Sequence, residues 1–157
     1  MKVIVLYYSR GGTTKKMAEL IAGFLQKEKI EVDVADTDSF EVKKLLDYQG
    51  IIVGSPTYYG SLAASVKKLF DESVAFHGKL DGKIGAAFST SRNLAGGNET
   101  TVLSILEAML IHGMIIQGDF KGDHYGPVAV EKIDYRTEQN CQRAAQRFAG
   151  LLGKLKL

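Results

Sequence analysis

Short unbroken apolar runs alternate along this chain with stretches in which apolar residues recur every third or fourth position. Val3-Ile4-Val5-Leu6-Tyr7-Tyr8 and Ile51-Ile52-Val53-Gly54 are runs of the first kind. A strand reads this way when both of its faces are covered, as they are inside a parallel sheet. Residues 30–35 alternate and read as a second strand. Residues 83–88 read as a fourth, with Gly85, Ala86 and Ala87 predicting close helix packing, and 114–117 as a fifth. Between these lie the helical stripes. Met17, Leu20, Ile21, Phe24 and Leu25 form the first, in a helix beginning near Thr13. Asp38 with Glu41 resembles a capping box for a short helix through Leu46. Residues 62–73 read as a helix with Val66, Leu69 and Phe70 inward. Val102, Ile105, Leu106, Met109 and Leu110 repeat the pattern, with Gly113 as the stop. A last helix from about Thr137 puts Cys141, Ala144, Ala145, Phe148, Ala149 and Leu152 on one face.

Five strands alternating with helices imply an α/β three-layer sandwich: a parallel sheet, helices on both faces, right-handed crossovers. The five-stranded order 2-1-3-4-5 places the ligand crevice between strands 1 and 3, at their carboxyl ends. The length of 157 residues fits one domain spanning 1–157. A net charge of +2 without a basic run of five gives no reason to expect nucleic acid. No stretch approaches the roughly 20 apolar residues of a membrane span, and the apolar run at 3–8 is too short for a signal peptide. One cysteine excludes an internal disulfide and agrees with a reducing compartment, so the expected location is cytoplasmic.

Three loops then fall on one sheet edge. In Ser9-Arg10-Gly11-Gly12-Thr13-Thr14 the glycines permit a tight turn with inward amides, and three hydroxyls add donors. The helix that follows contributes free N–H groups and the positive end of its dipole, which suits a phosphate. Lys15 and Lys16, in that first turn, oppose the dipole by roughly 0.3–1 kcal/mol unless an anion binds. The loop lacks the Gly-Lys-Ser/Thr of a Walker A motif. Ser55-Pro56-Thr57-Tyr58-Tyr59-Gly60 puts two aromatic rings at the crevice mouth, where either can stack on a flat ring system. Ser89-Thr90-Ser91-Arg92-Asn93-Leu94-Ala95-Gly96-Gly97-Asn98 is small and polar, able to wrap a heteroaromatic edge with backbone hydrogen bonds. Each loop alone also reads as an ordinary strand-to-helix connection or rim packing.

The one long irregular stretch, about 118–134, could hold a hairpin or cover the pocket. His77 and His112 read as loop and helix-end residues, and His124 as a loop residue with a chance of substrate contact, as for Tyr59. No histidines or carboxylates show ligand spacing, so no metal is expected. Cys141 lies on an apolar stripe and reads as core.

Taken together, residues 7–14, 54–60 and 89–101 resemble the flavodoxin-like superfamily, over nearly the whole length. They are most similar to its NAD(P)H:quinone oxidoreductase branch, typified by the tryptophan-repressor-binding-protein family. The resemblance implies FMN as cofactor, with its phosphate on 9–14 (where Gly-Gly replaces the usual Thr-Gly) and its isoalloxazine between 56–60 and 89–97. It also sets His124-Tyr125-Gly126 near the flavin. The chain is shorter than that branch, without the long insertion after the fourth strand. The resemblance therefore does not carry over the branch's tetramer, and it leaves homo-oligomerisation open.

Two function classes fit. One is an oxidoreductase that takes hydride from NAD(P)H and reduces a quinone or similar small-molecule acceptor by two electrons, the chemistry belonging to FMN and not to an obligatory acid or base. The other is a flavodoxin-type electron carrier that docks on a redox partner protein. Carriers in this family are typically strongly acidic and sandwich the flavin between two aromatics. This chain carries +2, and loop 89–98 has no aromatic but offers Arg92 near the ring. These features favour the oxidoreductase. A cofactor-free receiver-like module would need acidic clusters at the strand ends, where this chain has Tyr-Tyr-Ser and Gly-Ser-Pro.

Overall fold

Residues 1–155 are described by a computed structural model. In chain order its elements are β1 (Lys2–Tyr7), α1 (Thr13–Lys27), β2 (Glu31–Asp36), a 3-10 helix (Val42–Asp47), β3 (Gly50–Tyr58), β4 (Ser61–Leu62), α2 (Ala64–Glu72), a second 3-10 helix (Ser73–Phe76), β5 (Ile84–Ser91), α3 (Asn98–Ile111), β6 (Ile115–Ile116), β7 (Val128–Val130) and α4 (Tyr135–Leu155). The parallel sheet runs β2-β1-β3-β5-β6, which is the expected 2-1-3-4-5 order with β4 added as a hairpin on β3. Alternation along β1 divides the core. Val3, Val5 and Tyr7 join the cluster beneath α1 and α4, while Ile4 and Leu6 join the one beneath α2 and α3. Cys141, Ala145, Phe148 and Leu152 of α4 close the first layer, and Cys141 is fully buried. Gly85 admits α3 closely, since a Cβ there would stand 2.8 Å from Met109 Sδ. Among the described residues no helix is long and apolar enough to cross a membrane.

The fifth strand differs from expectation. Only Ile115 and Ile116 pair with β5 at Ile84 and Gly85; the chain then leaves the sheet and returns as β7, pairing Val128–Val130 with Ser89–Ser91. The excursion is held by charge. Asp119 accepts from Arg143 Nε at 2.5 Å and Nη2 at 2.7 Å, and Arg147 Nη2 donates to Gly118 O at 2.7 Å. The Arg143 bond holds the Asp119 carboxyl at about 2, below the usual carboxylate range. Asp123 accepts from Val128 N at 2.9 Å and from Arg136 at 2.6 Å, fixing the point of return.

The capping box does not form. Asp38 instead accepts from Ser65 Oγ, Glu41 pairs with Lys44 at 3.5 Å, and 42–47 winds as a 3-10 helix. The last helix starts at Tyr135, because Asp134 Oδ1 accepts from the N–H (2.8 Å) and Oγ1 (2.7 Å) of Thr137. At the end of α3, Gly113 N–H donates to Leu110 O and Met114 N–H to Met109 O, closing the helix where expected. α1 ends in the same way, but with Lys29 in the left-handed position at φ 62°.

Candidate functional site

Gly12 is the N-cap residue of α1 and sits at φ 90°, a left-handed conformation that glycine adopts without strain. Its N–H donates to Ser9 Oγ at 3.0 Å, and its carbonyl accepts from Lys16 N at 3.0 Å. No side chain caps this helix and its first turn holds no acidic residue. The free amides and the positive dipole end are therefore open to an anion. Lys15 reaches back along the helix to Glu19 at 4.0 Å, relieving part of its conflict with the dipole. The buried Thr14 Oγ1 is 2.8 Å from Thr90 Oγ1 and ties α1 to the end of β5.

The second loop is a hairpin. Ser55 Oγ donates to Pro56 O (2.8 Å) and accepts from Ala63 N (2.9 Å), holding its base. Tyr58 pairs with Ser61, so Tyr59 and Gly60 form the two-residue tip, with φ 49° and 77°. Positive φ at both positions matches a type I′ turn. This separates the two tyrosines. Tyr58 meets Tyr8 edge-on (centroids 6.4 Å, 77°) and walls the cleft, while Tyr59 projects fully into solvent.

The third loop closes against the second. A Cβ at Gly97 would stand 2.6 Å from Gly60 Cα, and Thr100 Oγ1 donates to Gly60 O at 2.6 Å. Ser89 is fully buried, with its hydroxyl on Asn98 O at 2.8 Å. Ser91 Oγ donates to Asn93 O at 3.0 Å. Gly96 N donates to the same carbonyl at 3.1 Å.

These contacts leave an open cleft at the carboxyl ends of β1, β3 and β5. Ser9, Arg10, Gly11, Thr13 and Thr14 line it from the first loop. Pro56, Thr57 and Tyr58 come from the second, and Thr90, Ser91 and Arg92 from the third. One end offers amides and hydroxyls and the other an aromatic wall, an arrangement able to hold a planar group with a phosphate tail.

Residues 4–118 match the family model described as a flavodoxin domain. The chain belongs to the flavodoxin family. It is 36% identical to a flavodoxin of Clostridium saccharobutylicum, over 95% of this chain and 96% of that protein. It is 34% identical to an NAD(P)H dehydrogenase (quinone) of Gluconacetobacter diazotrophicus, over 95% of this chain and 93% of that protein. In fold it resembles a solved WrbA-like flavodoxin from Agrobacterium tumefaciens (TM-score 0.84, 23% identity, 98% of each chain covered).

In this flavodoxin-family chain several expected residues frame the cleft without lining it. Gly12, Gly60, Ser89, Asn93, Gly96 and Gly97 shape the loops, and Tyr59 stands outside. His124 is not brought to the cleft. Its Nδ1 lies 2.7 Å from Asp119 O, within the excursion between β6 and β7. There it lines a separate, small cavity with Phe148 and Leu151. Its displacement follows from the Asp119 anchor on α4. One lining residue escaped the sequence reading, Glu131, which β7 delivers beside the first loop. The signal available was the run Val128-Ala129-Val130, a strand pattern inside a stretch that otherwise reads as loop. Three charged side chains line the cleft: Arg10, Arg92 and Glu131. Arginine–carboxylate pairs among the described residues involve Arg136, Arg143 and Arg147, leaving the two cleft arginines without such partners.

Proposed function

We propose that this chain binds FMN in the cleft and works as a redox protein through it. The reading rests on the meeting of an uncapped helix N-terminus with the Tyr58 wall in one cleft. The residues present fit the group. Ser9, Thr13, Thr14 and the first-turn amides of α1 are donors for the phosphate, with Arg10 beside them. Pro56, Thr57 and Tyr58 and, on the paired strand β5 and beyond it, Thr90–Arg92 line the rest of the cleft, where the ring would lie. FMN, when bound, supplies the capacity to accept a hydride or single electrons. The chain's residues orient it, screen one face and set the surrounding charge. Adding FMN to the purified protein should quench flavin fluorescence at micromolar concentrations. Absence of quenching would reject the reading.

For the donor and acceptor, the proposal is direct reduction by NAD(P)H and two-electron transfer to a quinone or similar acceptor. Support comes from the full-length similarity to a quinone dehydrogenase and from a cleft lining that carries no aromatic side chain besides Tyr58. Arg92 adds a positive charge to the cleft lining, where it would favour negative charge on a bound ring. A carrier role is the second reading, supported by the equally long similarity to the clostridial flavodoxin. Stopped-flow mixing of the FMN-loaded protein with NADH and NADPH separates them. Rapid bleaching of the flavin absorbance is expected of the oxidoreductase, and no bleaching with either donor would leave the carrier.

A further inference from the structure

Glu131 is the one carboxylate lining the cleft, and the backbone is strained to put it there. Its φ is 59°, and Lys132 N donates to Val130 O at 2.7 Å, closing a three-residue turn around it. A γ-turn with positive φ at its centre is the rare and strained hand, and such strain persists where neighbouring contacts over-determine it. Those contacts are present on both sides. Glu131 N donates to Ser91 O at 2.8 Å, and its carbonyl accepts from Thr13 Oγ1 at 3.4 Å. The residue is thus clamped between the end of β5 and the first residue of α1. Glycine would make this turn without strain, so the side chain's presence calls for a role. No ion pair to Glu131 occurs among the described residues. α1 has no acid of its own in its first turn, and Glu131 places a negative charge beside that turn from a distant part of the chain.

We infer that Glu131 is a specificity-determining residue: its carboxylate opposes the flavin phosphate and lowers the chain's preference for phosphorylated over unphosphorylated flavin. The inference rests on the FMN reading above. Like charges near one helix end compete for the same positive field. The carboxylate therefore stands in for the phosphate before binding and repels it afterwards. Arg10 offsets part of that repulsion, so the effect is one of degree.

The test is the ratio of FMN to riboflavin affinity, measured by fluorescence quenching for wild type and Glu131→Gln at low ionic strength. The ratio should rise about fivefold in the variant, as for one exposed unit charge near a phosphate, and the rise should shrink as salt is added. Glu131→Lys should raise the ratio further, and it serves as the test if Glu131→Gln does not fold. Wild type that binds FMN with a ratio that does not rise in the variant overturns the role of Glu131 and leaves the FMN reading standing. Failure of wild type and variants alike to bind FMN overturns both.

Discussion

Two adjacent tyrosines receive opposite fates from one turn. Tyr58 is the last residue of β3 and lies 41% exposed along the cleft, while Tyr59 takes the tip of the hairpin and projects into water. Tyr58→Ala should weaken FMN binding about tenfold, as expected when an aromatic contact worth roughly 0.5–1.5 kcal/mol beyond its area is lost. Tyr59→Ala should change it less than about twofold. Equal effects in a quenching titration would show that the tip folds back on the ring. The sequence shows both rings at the crevice mouth, because their neighbours Pro56 and Gly60 mark a loop. Choosing between them requires φ at Tyr59, and a Tyr-Gly tip carries a weaker turn signal than Asn-Gly.

Among the elements, the ends of the helices are where local chemistry and tertiary context part. α1 finishes with Lys29 at φ 62°, a conformation that costs a non-glycine residue roughly 1–2 kcal/mol. Lys29→Gly should relieve this, with about half of the gain lost to glycine's freer unfolded chain. A rise in Tm of about 2 °C is expected by calorimetry, and a fall would mean that the Lys29 side chain stabilises the end of α1. The helices and buried strands are legible in the sequence because 3.6-residue stripes and unbroken β-branched runs are local signals. The capping box at Asp38 and Glu41 misleads because Ser65, 27 residues on, takes the aspartate. The split between β6 and β7 is hard to read for a related reason: Asp119 meets Arg143 across 24 residues. The same long reach explains the candidate site. Three loops are readable from glycines and hydroxyls, but Glu131 arrives, and His124 departs, through long-range pairings, of which only the run Val128-Ala129-Val130 leaves a local trace.

At the scale of the whole molecule, stability is coupled to pH through His112. It caps α3 and is buried, with Nε2 2.7 Å from Ser73 Oγ. Ser73 directs its own proton to Phe70 O at 2.7 Å, so Nε2–H is the donor to it, and Nδ1 is left as a buried acceptor without a partner. Burial first, and then nearby His77, push the His112 pKa below its ordinary 6.5. The unfolded chain then binds a proton more readily than the folded one. Stability is fully present above about pH 6.5 and falls as the pH drops below it, until the folded form also protonates. Urea unfolding at pH 7.5 and 5.5 should show this loss in wild type and a smaller one in His112→Gln. An equal loss in both would assign the acid sensitivity to other groups.

Cys141 gives the molecule a further property. Burial on the inner face of α4 pushes its thiol up to about 12, so the reactive thiolate is scarce and shielded at neutral pH. Peroxide in solution would meet no cysteine thiolate on the surface. Covalent dimers should not accumulate on storage, and maleimide dyes should label the protein only once it is denatured.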